Sequence, residues 1–264
     1  ILSSNGRVVI YMGDDGYFEY LYRFVSSRPY LDSSKKGIQQ GAILDEGELS
    51  VAVFLEDGTL EWVPLKYGTR GLGPENGFFS PEDLLIEARK AADVVGATPM
   101  DRCEDVEPNP HTDRVYVNCT LNPKRGTKEY PGAHASNPRV ENTAGHTIEI
   151  IPPEGDHTAM ILTWDMLLLA GTTTLGAMYG YDQHTEAQLA CPDNAVIDPQ
   201  GRLWITTDGA SEVLGIGDGI YAVETQGMNR GKAQRLFIAP IGAEVTVPSF
   251  SPDGKSLFLS IQHP

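Results

Sequence analysis

A turn followed by a short apolar strand recurs along the chain, and this repeat constrains the fold more than any other feature. Each copy has a turn, a basic or small residue and then an apolar run typical of a β-strand, as in residues 5–11, 112–117, 200–205 and 253–259, with a weaker copy at 56–63. Turns with Asn-Gly or Asp-Gly before alternating apolar residues indicate β-hairpins. Repeats spaced by about 50 residues are typical of propellers and solenoids.

The repeat predicts an all-β fold, a β-propeller to which residues 1–264 contribute several blades as one partial domain. Each repeated unit is a small sheet that cannot bury its faces alone, and radial stacking lets neighbouring sheets cover one another. The five copies do not complete a ring. We therefore expect further blades before Ile1, and we expect the first and last blades of this chain alone to expose sheet faces.

One helix is predicted within the β pattern, over residues 80–96. Ser80 can cap it, Pro81 suits the first helical position, and Asp83 completes a capping box. Apolar residues then follow at helical spacing, and Gly96 ends the helix. Two stretches rich in polar or small residues, about 126–145 and 172–189, are predicted to be excursion loops.

The composition excludes several classes of protein. A formal net charge of −16 argues against a nucleic-acid partner, because phosphate binding needs clustered Lys and Arg. The longest apolar run, residues 166–171, is too short to cross a bilayer. Cys103, Cys119 and Cys191 have no CxxC spacing, which excludes a zinc ribbon but leaves their disulfide state open.

The stretch from Met100 to Pro110 concentrates acidic residues before a predicted strand. It carries Asp101, Glu104, Asp105 and Glu107, and we predict a loop that runs into the strand 114–118. Loops held by a rigid sheet often carry binding groups, and oxygen-rich clusters suit hard cations such as Ca²⁺. A solvated acidic turn is the alternative interpretation.

Polar groups from different units are expected to converge at one end of the propeller channel. The converging segments are 13–15 with Glu19, 102–107, 191–194 and 262–263. Acids held together raise one another's pKa unless a cation neutralises them, so this convergence predicts a metal site. Simpler interpretations remain open: a turn at 14–15, a turn at 193–194, a buried apolar role for Cys191, and a place for Glu19 within an aromatic strand. Five histidines are expected to be structural or surface groups: His111, His134, His146, His157 and His184.

Several longer motifs resemble those of the PhoX-type alkaline phosphatases, in the same order along the chain. They are 13–15 with 18–26, 101–107, 137–139 with 145–146, 190–194, 201–209 and 251–264. The resemblance implies a six-bladed propeller that hydrolyses phosphate monoesters with an iron and calcium cluster (Fe³⁺ and Ca²⁺). It also implies export, to the periplasm or the cell surface. The matching motifs correspond to the later part of such a protein.

The resemblance also implies roles for individual residues. It makes Glu19, Glu104 and Asp193 metal ligands, and it makes Arg102, with Glu104, the catalytic pair, with Arg102 contacting the substrate phosphate. The family's cysteine ligand to iron lies in a motif that would precede Ile1, so the cluster needs the missing N-terminal part of the propeller. The weaker candidates for the metal site or its surroundings are Asp14, Asp15, Asp105, Asn194 and His263.

Two other functions are compatible with the same residues. A non-catalytic propeller could use the acids for structural calcium and serve as an interaction module. A calcium-dependent lactonase-type propeller could use the segment 191–194 together with 201–204. The first would bind calcium without turnover, and the second would be active with calcium alone.

Overall fold

A computed structural model describes residues 1–30, 42–180 and 188–263 of the chain. His184, Pro264 and part of the predicted loop 172–189 therefore lie outside the described residues.

The described chain is organised as successive small antiparallel sheets. The first contains β1 (Arg7–Gly13), β2 (Leu21–Pro29), β3 (Gly47–Phe54) and β4 (Thr59–Pro64). The second contains β5 (Cys103–Asn109), β6 (Arg114–Cys119), β7 (His146–Ile151) and β8 (Ile161–Leu169), with the short β9 (Met178–Tyr179) beside β8. The third contains β10 (Pro192–Ile197), β11 (Leu203–Thr207), β12 (Gly219–Val223) and β13 (Ala233–Ile238). The last pairs β14 (Glu244–Phe250) with β15 (Leu257–Gln262).

The first strands of these units lie side by side around a common centre. β5 packs against both β1 and β10, and β10 packs against β14. At the outer rim, β4 pairs with β8 through residues 59–61 and 161–163, which joins the first two units into one continuous sheet. The predicted all-β propeller is thus confirmed, with the units as its blades.

Apolar side chains fill the space between successive blades. One core packs residues such as Leu21 and Trp62 of the first blade against Val117 and Ile148 of the second. A second core joins blades two and three, and a third joins blade three to the β14–β15 pair. Burial of large apolar side chains on facing sheets is the main stabilising term of this architecture.

The predicted helix is present but broken. α1 (Pro81–Ile86) starts with the expected capping box at Ser80, and α2 (Ala88–Val95) ends at Gly96 in the left-handed conformation. Glu87 separates them with φ −105° and ψ 41°, outside the helical range. A short third helix, α3 (Ala210–Leu214), was not predicted.

The α1–α2 insertion covers one face of the first blade. Leu84, Ala91 and Ala92 pack with Val51 and Val63 in a separate apolar core. The expectation that the first blade exposes a bare sheet face is therefore wrong for this face. At the other end of the chain the expectation is met, because Val247 and Phe258 are 62% and 63% exposed.

Two local predictions near the acidic residues were also wrong. The stretch expected to be a loop is largely the strand β5, because pairing with β6 overrides its low β propensity. Pro108 is tolerated there because β5 is an edge strand of its sheet. Glu19 lies before β2 rather than within a strand, and Phe18, with φ 67°, is outside the extended backbone range there.

The described part of the chain holds no helix with the length and apolar character needed to cross a membrane.

Candidate active site

The candidate site lies where β1 ends and where β5 and β10 begin. Glycine lets these segments approach closely. A Cβ on Gly13 would lie 2.3 Å from the carbonyl oxygen of Cys103, the first residue of β5. A Cβ on Gly145 would lie 2.6 Å from Cδ of Pro192, the first residue of β10. These contacts bring loops of different blades together at one end of the propeller.

Arg102 is the cation at the centre of this convergence. Its backbone is left-handed, with φ 58°, immediately before β5. Its guanidinium binds Asp15 through two contacts, Nε to Oδ1 at 2.8 Å and Nη2 to Oδ2 at 2.9 Å. Nη2 also donates to Oε1 of Glu104 at 3.0 Å. The side chain is partly exposed, so this two-pronged donor faces the opening of the site.

Glu104, which is half-buried, and Asp193, which is buried, are interacting acids of the site. Burial raises the pKa of Glu104 most, followed by the charge of Asp193 and then that of Asp15, while Arg102 opposes the shift. Burial also raises the pKa of Asp193 most, followed by the charges of Asp208 and Glu244. Two carboxyl groups held together in this way favour sharing a proton or binding a cation.

Sequence reasoning missed two further acids of this region, Asp208 and Glu244. The pKa of Asp208 is raised first by burial and then by Asp218, and that of Glu244 first by burial and then by Asp208. Asp208 follows the buried strand β11, and Glu244 opens β14. The signal for Asp208 was its place just after an apolar strand, at the same end of the propeller as Asp193.

Asp105 and Asn194 join neighbouring blades rather than facing the opening. Oδ2 of Asp105 accepts from the backbone N–H of Ala195 in β10 at 2.7 Å, and Oδ1 accepts from Val106 at 2.7 Å. Oδ1 of Asn194 accepts from the backbone N–H of Val247 in β14 at 2.9 Å. Each side chain thus provides an acceptor for a backbone N–H of the next inner strand, where a strand pair would use a backbone carbonyl.

Glu19 and Asp14 form a separate group with a cation from the inserted helix. Arg89 of α2 binds Asp14 with Nε to Oδ2 at 2.8 Å and Nη2 to Oδ1 at 2.7 Å, and its Nε lies 3.4 Å from Oε2 of Glu19. Burial raises the pKa of Glu19, and Arg89 opposes the shift. The structure does not bring Glu19 into direct contact with Glu104 or Asp193. The loop 14–19 nevertheless serves both groups, because its Asp15 binds Arg102.

His263 lies at the edge of the same region. It is exposed and has φ 51°. Its charge lowers the pKa values of Asp208 and Glu244, while burial and neighbouring acids raise them overall. The preceding Gln262 donates to Oε1 of Glu244 at 3.4 Å.

A rim of aromatic and basic side chains adjoins Arg102, and sequence reasoning missed it. The Arg102 guanidinium lies 5.7 Å from the centre of the Tyr17 ring, and Nζ of Lys124 lies 4.8 Å from the same centre. Nζ of Lys124 is also 5.7 Å from the ring of Tyr130. These cation–π contacts hold positive charge beside the acids.

The donor chemistry of the site fits a hard cation. Glu104, Asp193, Asp15 and Asp208 offer carboxylate oxygens, which Ca²⁺ and similar ions prefer. Within the described ranges, no three Asp, Glu, His or Cys side chains are placed closely enough to hold an ion by themselves. The fit therefore concerns the type of ligand and its uncompensated charge rather than a finished coordination shell.

Comparisons with known proteins identify relatives of the chain. The chain matches the family described as alkaline phosphatase PhoX over residues 1–264. It is also similar to the structure of Pseudomonas fluorescens PhoX in complex with vanadate, a transition state analogue, with 35% identity and a TM-score of 0.91. That alignment covers 100% of this chain and 47% of the Pseudomonas chain, so this chain spans about half the length of that relative.

A gluconolactonase from Xanthomonas campestris is a distant match, at 11% identity and a TM-score of 0.27, with 98% of this chain and 88% of the other covered. The comparison with curated proteins found no match. The family match extends over every residue of the sequence, and the chain therefore belongs to the alkaline phosphatase PhoX family.

Proposed function

We propose that the protein is a metal-dependent phosphomonoesterase, an alkaline phosphatase of the PhoX type. The observation that carries this proposal is the convergence of Arg102, Glu104 and Asp193 at the starts of β5 and β10, in a chain of this family. In this proposal Arg102 binds the substrate phosphate and Glu104 acts with it, while Glu19, Glu104 and Asp193 are metal ligands.

The residues of the chain suit phosphate-ester chemistry. Hydrolysis of a phosphate ester depends mainly on stabilising charge on the phosphoryl oxygens, and a guanidinium offers two parallel donors for that purpose. Asp15 and Glu104 already orient the Arg102 fork, with contacts of 2.8 to 3.0 Å. A phosphate that enters the site would replace Asp15 as the partner of Nε and Nη2 of Arg102.

We propose Fe³⁺ and Ca²⁺ as the bound metals. When bound, such ions supply Lewis acidity and an activated oxygen nucleophile. The chain's contribution is to present Glu104 and Asp193 with an excess of buried negative charge, which raises their pKa values until a cation compensates it.

The weaker candidates divide into two groups. Asp14, Asp15 and His263 lie on partly or fully exposed segments of the site and remain proposed ligands or neighbours of ligands. Asp105 and Asn194 already direct side-chain oxygens at backbone N–H groups, so we propose that they support the metal site from behind.

We further propose that residues 1–264 form part of one propeller domain that is completed by an N-terminal part of the same protein. The exposed apolar side chains on β14 and β15 support this, because a neighbouring blade would cover them. A phosphate ester is the proposed substrate, and the periplasm or cell surface is the proposed location.

The test is elemental analysis of the complete purified protein, paired with hydrolysis of p-nitrophenyl phosphate before and after chelation. We expect iron and calcium, turnover that chelation abolishes, and inhibition by vanadate. Calcium without turnover on any phosphate ester would instead support the structural-module alternative. Lactone hydrolysis with calcium alone would support the lactonase alternative.

A further inference from the structure

Cys103 and Cys119 form a buried cysteine pair that the proposed reaction does not use. They are direct register partners across the β5–β6 pairing. Their Sγ atoms lie 3.9 Å apart. Both residues are 0% exposed. Cys191 lies elsewhere, with its Sγ directed at the carbonyl oxygen of Thr143 at 3.5 Å.

The geometry of this pair suits a covalent bond. Directly opposed residues in antiparallel strands have Cα atoms about 4.5 to 5.5 Å apart, within the range of about 4.4 to 6.8 Å that disulfides span. The sulfur atoms must approach by about 2 Å to reach bonding distance. A register irregularity between Cys103 and Asp105 gives this part of β5 room to adjust.

We infer that Cys103 and Cys119 form a cross-strand disulfide in the mature protein, while Cys191 remains a thiol. The reaction is a thiol–disulfide exchange with an external disulfide, R–S–S–R, such as a disulfide oxidoreductase or oxidised glutathione. One cysteine sulfur attacks R–S–S–R and releases the first R–SH. The second cysteine then attacks the mixed disulfide and releases the other R–SH, so that both thiol protons end on R–SH.

The position of the bond gives it a structural consequence. Cys103 lies between Arg102 and Glu104, and its carbonyl packs against Gly13. The bond would fix the first residue of β5 to β6 and so restrict the backbone that carries both of these side chains. Because the pair is fully buried, the exchange accompanies folding, and the finished bond is shielded from thiols in solution.

Peptide mapping tests the inference directly, since trypsin separates the two residues. Cleavage after Arg102, Arg114 and Lys124 places Cys103 and Cys119 on the peptides 103–114 and 115–124. The complete protein, refolded with oxidised and reduced glutathione, is denatured, alkylated and digested without reductant. We expect a linked pair of these two peptides that reduction separates, with Cys191 alkylated throughout. Separate, alkylated peptides 103–114 and 115–124 would overturn the inference.

Thermal melting provides a second readout. A bond between Cys103 and Cys119, which are 16 positions apart, should raise the melting temperature by about 5 to 10 °C over the reduced protein. Each protein is unfolded and refolded with or without reductant before it is melted, because the folded pair is shielded. We expect refolding with reductant to lower the melting temperature of wild type and of Cys191→Ser to the same extent. Reductant should not change that of Cys103→Ser or Cys119→Ser. An equal response to reductant in all four proteins would contradict the inference.

Discussion

The starts of β5 and β10 use the same backbone with different chemistry. Arg102 and Cys191 each precede the strand, and both are left-handed, with φ 58° and 54°. Two residues later, each strand carries an acid whose pKa is raised, the half-buried Glu104 or the buried Asp193. The position between is buried in both strands, with Cys103 in β5 and Pro192 in β10.

The next position in each strand extends the parallel. Asp105 accepts from Ala195 of the following inner strand, and Asn194 accepts from Val247 of the one after that. What differs is the left-handed residue itself: Arg102 projects into the opening, whereas Cys191 is 1% exposed. The comparison teaches that the two strand starts share one backbone arrangement and differ in the left-handed residue, a partly exposed cation in β5 and a buried thiol in β10.

The largest expected effect separates the acid of β5 that we propose as a metal ligand from another acid of the same strand. Glu104→Gln should lower kcat/KM for a phosphate ester by more than about 100-fold in the complete protein, because it removes a proposed metal ligand beside Arg102. The matched control is Glu107→Gln, since Glu107 is another half-buried acid of β5 but accepts from Ile197 N–H in β10. Equal losses of activity in the two variants would show that β5 acids act only through the fold.

The glycines behind the two strand starts should differ in the free energy of unfolding. Gly145→Ala should destabilise the protein by about 3 kcal/mol, because its Cβ would meet the Thr120 carbonyl at 2.2 Å and its φ is 78°. Gly13→Ala has the clash without the positive φ and should cost about 2 kcal/mol. Gly96→Ala, with positive φ and open space, is the control at about 1 kcal/mol. Urea unfolding measures all three, and a reversed order would refute the account.

Two side chains join neighbouring inner strands, and removing the charged one should lower the free energy of unfolding more than removing the neutral one. Asp105→Ala leaves the partly buried N–H groups of Ala195 and Val106 without their acceptor and should cost about 2 kcal/mol. Asn194→Ala removes a neutral acceptor and should cost about 1 kcal/mol. Both are measured as shifts in the urea midpoint. If Asp105→Ala is neutral in stability but abolishes metal content, Asp105 is a ligand instead.

Arg102→Lys should raise KM for a phosphate ester about tenfold and weaken vanadate inhibition similarly, since a point charge replaces a two-pronged donor. Arg114→Lys is the matched control, because Arg114 also binds an acid, Glu149, but lies at the opposite end of the β5–β6 pairing from Arg102. An unchanged KM in Arg102→Lys would remove Arg102 from the phosphate site.

The smallest effect is expected at the corresponding residue of β10. Cys191→Ala should leave kcat/KM within about twofold and destabilise the protein by about 1 kcal/mol, because a small buried side chain is only shortened. Steady-state kinetics and thermal melting check this. A large loss of activity would mean that Cys191 contributes to the chemistry after all.

The architecture was predictable because its signals are local. Turn residues before alternating apolar residues define hairpins, and their spacing defines blades, so the all-β propeller followed from segments such as 112–117 and 200–205. The capping box at Ser80 likewise located α1. The break at Glu87 was not predictable, because no Pro or Gly marks it and the packing of α2 on the first blade decides it.

The site was predictable only in part, because its geometry depends on contacts between blades. The sequence indicated Arg102, Glu104 and Asp193, but not that Asp208 and Glu244 would lie within range of them. Strand pairing also changed the interpretation of β5, since the acids of residues 104–107 belong to a strand whose side chains alternate between faces. Glu19 remains a predicted ligand whose observed partner is Arg89.

The pairing of β4 with β8 has a consequence for how the protein opens. Because residues 59–61 hydrogen-bond to residues 161–163, neither of the first two blades has a free outer edge along that segment. The two blades should then lose amide protection from hydrogen exchange together, as one cooperative unit. Within the described residues, β14 and β15 pair only with each other, so in residues 1–264 they should exchange first. The half of the site built on β1 and β5 would then persist after the part contributed by β14 has opened.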